Sequence, residues 1–159
     1  MRPADAMTIG DILAPEAVIH GLRASGKPTL LEDLARRAAQ SLDLDADTIL
    51  GALVRREELG STGVGDGVAL PHARLDAVRK PFGLLARLRE PLDFDAIDER
   101  PVDLVFLLLL PTGEGGGHLN ALACVARRLR NSETAAALRS ARDAAGLYAL
   151  MGGRPLDTV

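Results

Sequence analysis

The chain contains no tryptophan, one tyrosine and three phenylalanines among 159 residues, so its core must be packed from Leu, Val, Ile and Ala. A single cysteine, Cys124, rules out an internal disulfide and predicts a small, buried apolar side chain on a helix. Charge of one sign is not in excess. A formal net charge of −3 makes no electrostatic case for nucleic acid or an anionic membrane as a partner. The longest apolar run, residues 104–110, is far too short to cross a bilayer, and no basic start followed by an apolar stretch marks a secretory leader. These absences predict a cytoplasmic protein with no direct membrane insertion. The remaining composition, 47% hydrophobic and 26% charged, is that of an ordered globular chain. The length predicts one domain over residues 8–151 with flexible ends at 1–7 and 152–159, burying roughly two thirds of its unfolded surface.

Glycine is plentiful, and its distribution is the first strong signal. Four glycines fall between Gly60 and Gly67, followed by Val68-Ala69-Leu70, then Pro71 and His72. Glycines at that density let backbone N–H groups approach an anion or another strand closely. Val68-Ala69-Leu70 reads as a short buried strand that Pro71 stops, which delivers the imidazole of His72 at a strand end beside a glycine-lined hollow. That is a fitting place for nucleophilic chemistry on a phosphoryl group.

In chain order, residues 8–13 read as a short helix capped by Thr8 and ended by Pro15, and Ala17-Val18-Ile19 as a strand. Pro28 opens a helix to about Leu42, with Leu30, Leu34, Ala38 and Leu42 as its stripe. Asp45 or Asp47 caps the next helix, with a buried face of Ile49, Leu50, Leu53 and Val54, ended by Gly60. Residues 82–89 form a strand, 91–98 an acidic loop with two large apolar anchors, and 102–110 a strand covered on both faces. A second glycine-rich loop, 112–117, opens onto a helix with His118 in its first turn. Two short helices follow near 132–140 and 142–151, the last with Ser140 and Asp143 at capping-box spacing. Strands alternating with helices predict an α/β fold, a three-layer sandwich with a mixed parallel/antiparallel sheet, in which the His72 strand runs antiparallel to a neighbour.

A histidine that accepts a phosphoryl group must be neutral, with one ring nitrogen free to face a hollow that holds three oxygens. Glycine N–H groups or a helix N-terminus supply donors to those oxygens, and an arginine matches their geometry. His72, the loop Ser61, Thr62, Gly63, Gly65 and Gly67, Arg56 on the last turn of its helix, and His118 at a helix start supply these parts. The glycines match no nucleotide-binding pattern, because no Gly-Lys-Ser or Gly-Lys-Thr follows and no helix begins at the fingerprint position. His72 with His118 lacks a third ligand for zinc, and Asp93, Asp95, Asp98 and Glu99 read as a solvated loop, so no metal and no cofactor are implied. His20 reads as a surface residue. Taken singly, Arg56 is an ordinary solvated helix charge and His118 an ordinary helix-start residue; together with His72 they become a site.

The run from Arg56 to His72 resembles the phosphorylation-site signature of the fructose/mannitol-type enzyme IIA domain of the bacterial phosphoenolpyruvate-dependent phosphotransferase system. The stretches Pro91-Leu92-Asp93-Phe94-Asp95-Ala96-Ile97-Asp98, Pro101-Val102-Asp103-Leu104 and His118-Leu119-Asn120-Ala121-Leu122-Ala123 agree with it. The resemblance implies a phosphotransferase component in which His72 accepts a phosphoryl group from the phosphocarrier HPr, His118 helps hold it, and Arg56 stabilises its charge. It also implies onward transfer to a IIB domain, or use of the phosphorylation state as a signal to a regulatory target. Without room for IIB or IIC domains, the chain looks like the nitrogen-regulatory branch, with a sugar-specific IIA or a purely regulatory binding module as alternatives. Asp66 stands where many members carry Asn, and its carboxylate is expected to turn into the loop's own hydrogen bonds. Exposed apolar residues are expected around the His72 hollow, as a transient docking contact requires.

Overall fold

The computed structural model describes residues 8–113 and 117–152, and for 117–119 the backbone alone. Its elements are β1 (Leu13–Leu22), α1 (Lys27–Leu42), α2 (Ala46–Glu58), β2 (Gly63–Gly65), β3 (Val68–Ala69), β4 (His72–Arg74), β5 (Phe82–Leu92), β6 (Val102–Leu110), α3 (Gly117–Arg130), α4 (Ser132–Ser140) and α5 (Ala144–Met151). The sheet runs β1-β5-β6-β3-β2, with β4 also paired to β6. Pairing is parallel for β1 with β5 and for β3 and β4 with β6, and antiparallel for β5 with β6 and β2 with β3. The mixed sheet is as expected. The strand that leads into His72, β3, runs antiparallel to β2, as expected; the additional strand β4, which begins at His72 itself and runs parallel to β6, was not expected.

β6 is the centre of the core. Leu104 through Leu110 are all at most 2% exposed, so successive side chains, which point to opposite faces, are covered alike. Helices α1 and α2 pack on each other, α1 against β5 and α2 against β4. Helices α3, α4 and α5 pack in succession, α3 against β6 and α5 against β1. This is the three-layer α/β arrangement that the sequence pattern predicts. Phe94 and Phe106 are fully buried.

Local differences from the sequence reading have identifiable causes. The first segment is a single 3-10 turn, Ile9–Asp11, tied by the Thr8 amide donating to Asp11 Oδ2 at 2.9 Å. β1 then begins at Leu13 and passes through Pro15 instead of starting after it. Pro15 is tolerated because β1 is an edge strand and its register with β5 shifts between Leu13 and Val18. Asp45 is the cap of α2, accepting from the Thr48 amide at 2.9 Å and hydroxyl at 2.7 Å. Of the face expected to be buried on α2, Ile49 and Leu53 are buried, Leu50 is half-buried and Val54 is 38% exposed, since α2 ends over the site and not over the core. Asp143, not Ser140, caps α5, accepting from the Gly146 amide at 2.8 Å. Leu92 and Phe94 are the buried anchors of the acidic loop. The expected flexible ends lie outside the described residues, apart from Gly152.

Pro71 does not end the ladder along β6. Val68 and Ala69 pair with Leu104 and Val105, and His72 and Ala73 pair with Leu108 and Leu109, in one continuous register. Between the two segments Leu108 donates its amide to the Pro71 carbonyl at 2.9 Å. Proline removes only the donor it lacks, and the chain resumes pairing with its direction preserved.

Candidate functional site

His72 is the first residue of β4 and is half-buried. Its Nδ1 lies 2.8 Å from the carbonyl of Leu70, two residues earlier. Only an Nδ1–H can donate there, so in the neutral ring Nε2 carries the lone pair. Arg56 Nε donates toward Nε2 from 3.4 Å, and Arg56 Nη1 donates to the Gly60 carbonyl at 2.8 Å. Burial pushes the His72 pKa below the usual histidine range, and the Arg56 and Arg74 guanidinium charges push the same way; the bond to Leu70 and the charge of Glu57 oppose them. Burial and the two guanidinium charges favour the neutral ring, with its basic nitrogen aimed away from the Leu70 carbonyl.

Nε2 faces an open hollow of about 400 Å³ lined by Ala52, Arg55, Arg56, Leu59, His72, Ala73, Arg74, Leu110 and Leu122. Three of these are arginines. Arg74 follows His72 by two along a strand, which places both side chains on one face. That spacing was legible in the sequence. Arg55 precedes Arg56 on the same helical turn, and neither Arg55 nor Arg74 was anticipated as part of the site.

The glycine-rich stretch is organised differently from the anion cradle that its composition suggests. Ser61, Thr62, Gly63, Gly65 and Gly67 do not line the hollow. Gly63–Gly65 and Val68–Ala69 form a hairpin joined by Asp66 and Gly67, both at positive φ (57° and 79°), as a two-residue type I′ turn requires. The Asp-Gly pair between short apolar segments is the sequence signal for that hairpin. Gly63 must be glycine for a different reason: a Cβ there would lie 2.8–2.9 Å from Ala96. Ser61 Oγ donates to the Phe94 carbonyl at 2.8 Å and accepts from the Gly63 amide at 3.0 Å.

Beneath the hairpin lies a polar network that sequence reasoning missed. Glu57 is nearly buried and accepts an ion pair from Lys27 Nζ at 2.8 Å, the Thr62 amide at 3.1 Å, and the Thr62 hydroxyl. Thr62 is itself 3% exposed, and Lys27 Nζ sits 4.6 Å from the centre of the Phe94 ring. The network ties the start of α1, the end of α2 and the loop 60–62 together. It thereby fixes the turn from which Arg56 reaches His72. No sequence pattern marks Glu57, because its burial depends on α1 arriving from another part of the chain.

Other anticipated residues are placed as follows. His118 lies in the first turn of α3, and its side chain is outside the described residues. Residues 114–116 of the second glycine-rich loop are also outside them. The Asp66 carboxylate is 91% exposed and lies 3.6 Å from Arg100 instead of turning into the loop's own hydrogen bonds, while the Asp66 amide donates to Asp98 Oδ2 at 2.9 Å. Cys124 is half-buried against the core, and burial pushes its thiol pKa up. His20 is not a free surface residue: it is half-buried, with Nε2 2.9 Å from both the Ala141 carbonyl and Arg87 Nη1.

With this geometry established, similarity to known proteins is informative. Residues 11–152 match the family described as "Phosphoenolpyruvate-dependent sugar phosphotransferase system, EIIA 2". The chain is 46% identical over 149 residues to a nitrogen regulatory protein of Bradyrhizobium diazoefficiens, covering 94% of this chain and 97% of the relative. It is 43% identical over 108 residues to a fructose-specific EIIA component of Haloferax volcanii, covering 68% and 69% respectively. The crystal structure of nitrogen regulatory protein IIA-Ntr from Neisseria meningitidis superimposes with a TM-score of 0.85 at 34% identity, covering 90% of this chain and 98% of that one. Spanning nearly all of the described fold, with His72 and its arginine inside the matched region, the chain belongs to the type-2 enzyme IIA family of the phosphoenolpyruvate-dependent sugar phosphotransferase system.

Proposed function

We propose that this protein is a phosphoryl carrier whose nucleophile is Nε2 of His72. The observation that carries this reading is the bond from Nδ1–H to the Leu70 carbonyl, which leaves the lone pair on the nitrogen facing the arginine-lined hollow. In the transfer step the Nε2 lone pair attacks phosphorus of a phosphohistidine on an HPr-type carrier. The N–P bond of the donor breaks, its electron pair returns to the donor's ring, and a new N–P bond forms on His72. No proton need leave His72 in this step, because Nδ1 keeps its hydrogen and its partner. Arg56, already within reach of Nε2, swings from the lone pair to the phosphoryl oxygens, which removes the cation from the nucleophile as charge arrives. His118 is assigned the second holding role, at the start of α3 where helix amides favour an anion. The hairpin 61–67 supports the site by holding the end of α2 in place.

The nitrogen-regulatory branch is the reading favoured by the 46% identical relative and by the superposition on IIA-Ntr. On that reading the phosphorylation state of His72 is a signal to a regulatory target in the cytoplasm. The fructose-specific relative supports a second reading, in which the phosphoryl group passes to a IIB domain for sugar uptake. Intact mass after incubation with phosphoenolpyruvate, enzyme I and HPr tests the common core of both. The expected result is an acid-labile gain of one phosphate on the wild type and none on His72→Ala. No gain on the wild type, with donors active on another IIA protein, overturns the carrier chemistry. The two branches then separate by whether the phosphoryl group chases onto a purified IIB domain.

A further inference from the structure

Away from the His72 hollow, two arginines are brought together toward the opposite end of the sheet. His72 is level with Leu108 of β6 and Gly83 of β5, and Arg89 lies further along β5, roughly 20 Å away. On the neighbouring parallel strand β1, His20 pairs with Arg87, but Leu22 pairs with Leu88. The extra residue between them, Gly21, is taken up at a φ of 82°. This bulge makes Arg23, and not Leu22, the neighbour of Arg89. Leu22 and Leu88 are buried, and the two arginines that follow them are exposed. Arg23, Ala24, Ser25, Arg89 and Glu90 line an open hollow of about 450 Å³. Like charges on adjacent strands, about 5 Å apart at the backbone, repel each other. Among the described residues neither guanidinium has a carboxylate within ion-pairing distance, Glu90 included. The Gly26 amide at the start of α1 already donates to Thr29 Oγ1 at 3.2 Å, so the guanidinium groups and not the helix start supply the donors here. The hollow also holds acceptors. Thr29 Oγ1 donates to the Gly26 carbonyl at 3.1 Å, which makes Ser25 the donor in its 2.9 Å contact with Thr29. Ser25 Oγ keeps its lone pairs, and Glu90 offers a carboxylate.

We propose that this hollow binds a small phosphomonoester of a polyol. Arg23 and Arg89 donate to its phosphate oxygens, in the forked geometry that guanidinium and phosphate share. Ser25 Oγ and Glu90 accept from its hydroxyl groups. A phosphate alone leaves most of the hollow empty, and the charge of Glu90 disfavours a longer polyanion. The site is separate from the His72 hollow and does not depend on the carrier reading.

The test is residue-resolved NMR of the full chain, titrated with ribose 5-phosphate, inorganic phosphate and ribose at constant ionic strength. Ribose 5-phosphate is expected to shift the amides of residues 23–25, 89 and 90 saturably, with a Kd below about 1 mM. Inorganic phosphate should bind there about tenfold more weakly, and ribose not at all. Arg23→Ala and Arg89→Ala should each weaken binding of the ester about tenfold, with Arg23→Lys recovering part of it. Glu90→Gln should tighten inorganic phosphate and narrow the preference for the ester. All of these side chains are exposed, so the unfolding midpoint and the remaining amide shifts of each variant should match the wild type, which separates lost binding from lost fold. Shifts confined to residues lining the His72 hollow overturn the proposal. So does an absence of saturation up to about 10 mM, or unchanged affinity in both arginine-to-alanine variants. Equal affinity for the ester and for inorganic phosphate overturns the polyol ester as the ligand.

Discussion

His20 and His72 are two half-buried histidines on strands of one sheet, each beside an arginine and each bonded to a backbone carbonyl. They differ in which nitrogen is engaged and in what lies beyond the other. His20 pairs in register with Arg87 on the neighbouring strand, and its Nε2 is enclosed by Arg87 and by Ala141 at the end of α4. In either tautomer that nitrogen is committed, and the ring fastens a helix to the sheet. His72 commits Nδ1 to a carbonyl two residues away and leaves Nε2 toward an open hollow, with the arginine as a companion able to leave. On the proposed carrier reading, nucleophilic competence rests on this arrangement and not on the presence of His and Arg, which both sites share. A local bond to the chain's own backbone selects the tautomer, and the hollow leaves room for a donor group beside the lone pair.

The widest separation of the two sites is expected from alanine at each. His72→Ala should abolish phosphoryl uptake by intact mass, whereas His20→Ala should be labelled as the wild type is. Uptake surviving in His72→Ala would mean that the comparison has the wrong histidine. Next in size is Glu57→Ala, which strands Lys27 and the buried Thr62. A loss of about 3 kcal/mol in denaturant unfolding is expected, with weaker transfer because Arg56 loses the turn that aims it.

Arg56→Ala tests the companion group more finely. It should slow phosphoryl uptake about a hundredfold, with Arg56→Lys recovering part of the rate. NMR titration of the ring adds a readout that slowed transfer alone does not supply. Burial sets the His72 pKa below the usual histidine value, and Arg56 lowers it further. Uptake in the wild type should therefore hold down to a pH below about 6.5, the unperturbed value, and stop as Nε2 gains its proton. In Arg56→Ala that midpoint should rise. The sign carries over to stability: as pH falls, the unfolded chain takes up this proton before the native one does. The contribution of His72 to stability is thus present above its unfolded pKa and lost as pH falls through its lower native value.

The two smallest effects concern groups that carry no chemistry. His20→Ala should cost about 1 kcal/mol of stability, seen in the unfolding midpoint, with no change in the pH profile of uptake. Asp66→Asn should change stability by less than about 0.5 kcal/mol and leave transfer unaltered, since its carboxylate is solvated and outside the hollow. A marked rate increase in Asp66→Asn would place that charge closer to the phosphoryl group than the geometry does.

Periodicity alone identified most of the scaffold. The apolar stripe of α1, the nearly uniform run of β6 and the positions of α3 and α4 follow from spacing that the structure repeats. Short elements were less legible. β2 was missed because three residues, two of them glycine, carry no hydrophobic alternation, and only the Asp66-Gly67 turn announces the hairpin. β4 was missed because the strand was expected to stop at Pro71, and its pairing depends on β6 lying alongside in space. His72, Arg56 and their closeness could be reasoned from one continuous stretch, since a helix end, a tight hairpin and a strand start leave few ways to arrange them. Arg74 was readable from strand alternation but went unread.

What the sequence by itself determined here is local: where helices and strands form, where a helix is capped, and that a histidine emerges after proline beside an arginine-bearing helix end. These depend on interactions within a few residues, whose geometry the chain's own covalent structure restricts. Only the tertiary structure decided the rest. It placed Glu57 under Lys27 and Thr62, closed His20 against α4, aligned both sides of Pro71 along β6, and left the Nε2 of His72 facing open space. Each of those outcomes joins or separates groups distant along the chain. Their energies of burial and pairing exist only after the sheet has assembled.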